Sequence, residues 1–403
     1  MLLLFATALI SLPWISDTGD VPAEPVARPQ LVIGPISRLV RDFMRQGDAA
    51  LSGQAKAIEN RQALARRIAE IFAAEPAATW ATEEGALELM RFVLLGGSPQ
   101  VLKRAIEDGV LPRKFEQAAN GLVAFSERRL DDARESLIED AGEPLPVDIE
   151  DALALIKGAL LSAKDPERAI GYLRWTQLAA PGTALEEAAL RQYIIILFRQ
   201  SRIDRGIEKL KVYVRRYPKS IYWSQFCSVA ATVLAENTNF EPAEFSEMDD
   251  GAASSTSRDR LQEFSVFVGK QLVLYGSFDK ASAVLKSVVG RLEPTSNLWR
   301  IAKRYLSLAE AVGSEPRVAL KSLQGIDLIQ LPADERALIR AGISIAHDVL
   351  TGYSGADEVT TRGRVSRSRS VEIESVQPLS LELHGRVKGA IELAQKMLDQ
   401  VQP

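Results

Sequence analysis

Four stretches of the chain repeat one frame, and that repeat constrains the fold more than any other feature. A small or helix-packing residue is followed twelve positions later by Ala or Gly, and four later by Leu. The copies are Gly121, Ala133 and Leu137; Lys157, Ala169 and Leu173; Ile194, Gly206 and Leu210; and Gly269, Ala281 and Leu285. Proline closes three of them, at Pro181, Pro218 and Pro294, and turn-like stretches such as Lys164-Asp165-Pro166 and Tyr275-Gly276-Ser277 divide the copies in two. The chemistry of this frame is packing. A small residue on the second helix lets the first approach closely, and Leu one turn later fills the groove between them. Proline then stops the second helix. The spacing from Pro181 to Pro218 is close to the ~34-residue tetratricopeptide period, although no Trp and no consistent Gly-Tyr pair recurs. Apolar residues follow at three and four spacing from Ile36, Leu39, Val40 and Phe43 through Ile58, Leu64, Ile68, Ile71 and Phe72, and no segment alternates with period two. The frame predicts an all-α protein, a tetratricopeptide-like α-solenoid of stacked helix pairs. A non-repetitive helical bundle is the alternative.

The rest of the chain divides around that array. Leu2 to Ile15 is apolar but too short to span ~30 Å of hydrocarbon. It fits the apolar region of a secretory signal peptide, with Val21-Pro22-Ala23 as the small-residue cleavage site, although no cation precedes it and the first is Arg28. A buried N-terminal segment or an uncleaved anchor are the alternatives. The expected organisation is a signal peptide over 1–23, a Pro-rich linker over 24–35 and a helical-repeat domain over 36–353. An acidic, then Ser-rich loop at 238–260 interrupts the repeats. Residues 354–380 carry Arg362, Arg364, Arg367 and Arg369 among Ser and Thr, and are expected to be disordered. An amphipathic helix over 381–403 either caps the array or docks elsewhere.

Chemistry is scarce. With 49 basic and 53 acidic residues the net charge is −4, which argues against a whole-chain grip on nucleic acid. The lone cysteine, Cys227, excludes an intrachain disulfide and a multi-Cys zinc site, and lacks a nearby His or basic activator. The two histidines, His347 and His384, have no catalytic partner in the pattern, and no phosphate-binding, zinc-protease or nucleophile-elbow motif occurs. Gly96-Gly97-Ser98-Pro99 reads as a helix-to-helix turn, and Asp249-Asp250 as a solvated pair. No catalytic, cofactor-binding or metal site is expected. Helix-pair solenoids act instead by surface. Arg191, Arg199 and Lys270 fall on predicted inner helices and would favour an acidic partner segment. Tyr217, Tyr222 and Trp223 surround the turn at Pro218 as partner contacts; the alternative is that Tyr217 and Tyr222 plug the seam between consecutive pairs. Lys209, Lys211, Arg215 and Arg216 read as a solvated outer face.

Several phrases also resemble a known family. Leu94-Leu95-Gly96-Gly97-Ser98-Pro99, Leu178-Ala179-Ala180-Pro181-Gly182-Thr183, Leu185-Glu186-Glu187-Ala188-Ala189-Leu190-Arg191, and Arg215-Arg216-Tyr217 leading to Ser220-Ile221-Tyr222 and Phe226 are similar to the MotC motility proteins. Those are periplasmic proteins of flagellated alphaproteobacteria. The resemblance runs from Ile36 to Leu234 and more weakly to Leu350. It implies a role in flagellar rotation beside the stator, with the periplasmic part of the MotB-type stator subunit as partner and no catalytic activity. The expectation is a non-enzymatic periplasmic protein, without cofactor, nucleic acid or a stable membrane span once the signal is removed. Two alternatives stand beside it. One is a periplasmic cell-wall enzyme or subunit that uses Glu186-Glu187, against a plain helix-start role for those acids. The other is a cytoplasmic tetratricopeptide-like adaptor.

Overall fold

A computed structural model of the chain describes residues 34–359, apart from 55, 140–143, 238–239, 246–247 and 314. The expected signal peptide, nearly all of the Pro-rich linker, the C-terminal helix and all but the first residues of the Arg/Ser segment lie outside the described residues. Those described are helical throughout, with no strand among them. In order the helices are α1 (Pro35–Leu51), α2 (Ala57–Ala74), α3 (Ala77–Trp80), α4 (Glu83–Leu94), α5 (Gln100–Glu107), α6 (Arg113–Ser126), α7 (Leu130–Arg134), α8 (Val147–Leu161), α9 (Pro166–Ala179), α10 (Ala184–Arg199), α11 (Ile203–Arg216), α12 (Trp223–Glu236), α13 (Ser255–Leu274), α14 (Phe278–Val289), α15 (Asn297–Val312), α16 (Pro316–Gln324) and α17 (Ala333–Val359). A π-turn over Glu135–Glu139 extends α7.

Local chemistry fixes the ends. Thr82, Asp165, Thr183, Ser254 and Ser296 each accept a backbone N–H from the first turn of the helix they precede, and Pro35, Pro166 and Pro316 stand where a helix start has no N–H to lose. Several first helices close alike. A residue with positive φ follows the helix, and the next N–H reaches back five residues, as in Gly97 to Phe92 O (2.8 Å), Arg129 to Ala124 O (2.9 Å), Arg202 to Leu197 O (2.9 Å) and Ser277 to Leu272 O (2.8 Å). The left-handed residue is Gly96 or Gly276 in two of these closures, but Arg128 (φ 63°) and Ser201 (φ 57°) in the other two. The Gly-Gly-Ser-Pro stretch is therefore a helix-to-helix turn, as read from the sequence.

Consecutive helices pack as hairpins: α8 with α9, α10 with α11, α13 with α14, α15 with α16. The first helices of successive hairpins also pack on one another, α8 on α10, α13 on α15 and α15 on α17. The repeated frame supplies these contacts. A Cβ added at Gly121 would lie 2.5 Å from Leu137, and one at Gly269 would lie 2.4 Å from Leu285. In the second copy the small residue is Gly158, not its neighbour Lys157, with Leu173 at 2.7 Å. The third copy inverts the arrangement: Gly206 on the second helix receives Phe198 from the first, at 2.2 Å from a hypothetical Cβ. Ala133, Ala169 and Ala281 have no exposed surface.

Two features depart from the simple array. Helix α1 returns to the middle of the chain, where Asp48 accepts the Ala184 N–H at 2.8 Å and Leu51 joins the core around Leu190 and Ile194. The stretch expected as an open loop over 238–260 is instead pinned. Phe240, Phe245 and Met248 are buried in the core. Lys280 donates to the Phe240 carbonyl (3.0 Å), and Arg291 pairs with Asp249 at 2.5 Å. Three apolar side chains anchor a segment too irregular to show a period, and α13 already begins at Ser255. Helix α17 likewise runs on to Val359, past the expected boundary at 353.

Candidate functional site

The densest polar arrangement lies at the start of α10. Thr183 caps this helix, which places Glu186 and Glu187 in its first turn, where the helix dipole favours negative charge. Both carboxylates are buried, at 1% and 0% exposure. Glu187 accepts hydrogen bonds from the Tyr213 hydroxyl (2.7 Å), the Ser220 hydroxyl (2.9 Å) and Arg191 Nε (2.9 Å). Glu186 accepts from the Tyr217 hydroxyl and the Gly182 N–H, both at 2.6 Å, and pairs with Arg216. Burial, with the adjacent carboxylates, pushes the Tyr213 and Tyr217 hydroxyls well above the ordinary phenol range, so both remain donors. Each acid thus has a full set of internal partners and no oxygen directed at solvent. The arrangement ties α10 to α11 and to the turn before α12; it is a structural bond, not an open pair of catalytic acids.

The residues expected to contact a partner are distributed around this cluster. The Arg191 guanidinium, held by Glu187, lies 4.8 Å from the Tyr222 ring centroid, and both residues are half-buried. Tyr217 points inward to Glu186. Trp223 is 1% exposed, stacks on Tyr213 with centroids 5.8 Å apart, and donates its indole N–H to Glu263 at 2.7 Å. Tyr217 is therefore an internal contact of the α10–α11 pair, Trp223 is packed between α11 and α13, and the continuous exposed face of Arg191, Tyr222 and Trp223 does not form. Arg199 is exposed at the far end of α10, and Lys270 on α13 sits 5.3 Å from the Tyr305 ring. The other reactive candidates are quiet. Cys227 is buried, and burial pushes its thiol well above the usual range, away from reactivity. Asp249 is buried and paired with Arg291, not solvated. Among the described residues no group of His, Cys, Asp and Glu is arranged to hold a metal, and no helix is long and apolar enough to cross a membrane.

A second feature escaped the sequence reading. Between α8 and α9 lies a groove of about 500 Å³ lined by Glu150, Ala154, Lys157, Arg168, Tyr172 and Trp175. Trp175 is 56% exposed, and its indole N–H donates to Asp151 at 2.8 Å. Lys157 and Arg168 each stand 5.9 Å from the Tyr172 ring centroid. The signal was present in the sequence: Arg168, Tyr172 and Trp175 follow helical spacing on the polar side of α9.

Among the described residues, an all-helical array of stacked helix pairs whose buried acids are paired internally defines an α-helical repeat protein. Comparison with known proteins narrows this class. The chain belongs to the MotC family: the family model described as Chemotaxis protein MotC matches residues 8–402. A similar protein is the Chemotaxis protein MotC of Rhizobium meliloti, 24% identical over 320 residues, covering 78% of this chain and 72% of that one. No solved structure matches the chain significantly.

Proposed function

We propose that the chain is a non-enzymatic periplasmic motility protein that binds the periplasmic part of the MotB-type flagellar stator subunit and supports motor rotation. The observation that carries this reading is the match of nearly the whole chain to a family named for chemotaxis, on a fold of stacked helix pairs. The internal saturation of Glu186 and Glu187 supports the non-enzymatic part, because the chain's best acid pair does structural work. Arg191 with Tyr222, Arg199 and Lys270 are the proposed contacts on the first-helix layer. Their cations suit an acidic partner segment, and Arg and Tyr commonly dominate such contacts. Tyr217 and Trp223 support that layer from beneath.

The mechanism is scaffolding. Contact with the stator promotes its active arrangement only if the active state is bound more tightly than the inactive one. Deletion of the gene is expected to leave flagella assembled in normal number but not rotating; a strain without flagella would instead indicate assembly and overturn the reading. Fractionation of the tagged chain is expected to place it in the periplasm. Titration with the purified periplasmic part of the stator subunit tests the partner directly, and absence of binding refutes it.

A further inference from the structure

The stator reading leaves the α8–α9 groove unused. Arg168, Tyr172, Trp175 and Leu178 follow one another at helical spacing along α9, so they share one side of it and span ~15 Å at 1.5 Å per residue. Trp175 is exposed, and Leu178 is 78% exposed. The indole N–H is held by Asp151 at 2.8 Å, which fixes one edge of the ring and leaves ring surface to line the groove. Tyr172 lines it alongside, and its hydroxyl carries no hydrogen bond among the described residues.

Charge in this groove cancels. Glu150 pairs with Lys157 at 2.9 Å, and Asp151, which keeps its charge while accepting the indole N–H, offsets Arg168. A groove without surplus charge selects a charged segment of neither sign. A wholly apolar occupant fits no better. An apolar helix or an acyl chain would cover the Glu150–Lys157 pair and the Arg168 guanidinium and offer them no hydrogen bond, which is costly. The fitting occupant has apolar faces, polar edges and no net charge. A pyranose ring is built this way: the C–H bonds of its faces stack on the electron-rich face of an aromatic ring, and the hydroxyls around its edge bond carboxylate, ammonium and guanidinium groups. The groove volume of about 500 Å³ falls within the range of small-ligand sites, and a line of side chains along α9 suits several rings in a chain.

We infer that the α8–α9 groove binds an uncharged saccharide chain, with its rings on Trp175 and Tyr172 and its hydroxyls on Asp151, Lys157 and Arg168. The source is the glycan of the cell wall, and this clause alone rests on the periplasmic location proposed above. Arg191 and Tyr222, the proposed stator contacts, lie outside α8 and α9.

The test is calorimetric titration of the purified full chain with the β-linked tetramer of N-acetylglucosamine, and in parallel with the β-linked tetramer of glucose. Saturable binding is expected, tighter for the first tetramer. Trp175→Ala should weaken it about tenfold, and Trp175→Phe, which keeps a ring, by less. Both variants should keep the parent's thermal midpoint, because the residue is exposed. No saturable binding of either tetramer overturns the inference, as does binding indifferent to Trp175→Ala. A glucose tetramer bound as tightly as the other overturns the cell-wall source. A dimer by light scattering that Trp175→Ala dissolves gives this face to a second copy and overturns the inference too. The stator subunit is absent from these titrations, so failure here leaves the stator reading to its own binding assay.

Discussion

Replacing Tyr213 with Phe removes one hydroxyl and little else, which makes it a sharp probe of the buried acid cluster. The Tyr213 side chain has no exposed surface, and its hydroxyl donates to Glu187 at 2.7 Å. A hydrogen bond to a charged group contributes roughly 1.5–3 kcal/mol. Ser220 and Arg191 still hold Glu187 in the variant, so the carboxylate is not orphaned and the loss should sit at the lower end, about 1.5–2 kcal/mol. Glu187→Gln is harsher. It turns charge-assisted bonds into neutral ones and sets an amide N–H₂ or a weaker carbonyl against Arg191. Removing one partner of a buried pair costs roughly 3–5 kcal/mol. Because the two residues share a bond, the double variant should lose less than the sum of the singles, by about 1 kcal/mol. Urea unfolding followed by circular dichroism measures all three, with the midpoint shifting at constant slope. A Tyr213→Phe protein within about 0.5 kcal/mol of the parent, or additive singles, would refute the argument that this cluster holds α10 to α11.

Other outcomes follow from the same physics. Arg128 sits at φ 63° in a closure that elsewhere uses glycine, so Arg128→Gly should stabilise by about 0.5–1 kcal/mol: relief of the left-handed strain exceeds the added unfolded-state freedom, and thermal unfolding reads the gain. Ala169 is fully buried against α8, so Ala169→Phe should overpack that pair and cost roughly 1–3 kcal/mol in urea unfolding. Burial raises the Asp48 carboxyl above the usual carboxylate range, against the lowering by the Ala184 N–H and by Arg61. A group raised in the folded state loses stability as pH climbs through its unfolded and then its folded value. Asp48→Asn, which keeps an acceptor for Ala184, should therefore raise the unfolding midpoint at neutral pH, and this advantage should vanish below pH of about 4.

The fold was legible because its information is local. Small-to-Leu spacing, capping residues and turn glycines all act within a single helix pair, so the frame at Gly121, Ala169, Gly206 and Gly269 reads directly as contacts. The one-residue slip at Lys157 has the same origin: Gly158 is adjacent, and spacing alone does not tell which neighbour faces Leu173. The site was less legible because its partners are tertiary. Nothing near Glu187 announces Tyr213, which arrives from the second helix of the same hairpin, or Ser220 and the inward turn of Trp223, which arrive from the turn and helix after it. Tyr217, Tyr222 and Trp223 have the composition of a contact surface, and composition is the same for a seam. Phe240, Phe245 and Met248 were hidden for the opposite reason. Their spacing has no period, although burial needs only three apolar side chains in reach of a core.

The distribution of charge gives the molecule a direction that its net charge conceals. The chain totals −4, yet Arg168, Arg174, Arg205, Lys211 and Arg215 stand on α9 and α11 without an ion pair among the described residues. Of the acids around them, Glu186 and Glu187 are buried against Arg216 and Arg191 and Glu167 is taken by Arg202, while Asp204 and Glu208 on α11 stay exposed. Neutralising carboxylates inside the array while leaving guanidinium and ammonium groups outside turns one stretch of a mildly acidic protein into a basic surface. Such a surface raises encounter rates with acidic partners and loses that advantage as salt rises, because exposed charges are screened over about 10 Å at 0.1 M. It does not by itself distinguish one state of a partner from another. That distinction requires contacts present in only one state, and the rigid, sparsely distributed aromatics Tyr172, Trp175 and Tyr222, each held by a neighbouring polar or cationic group, are the side chains here with the shape to make them.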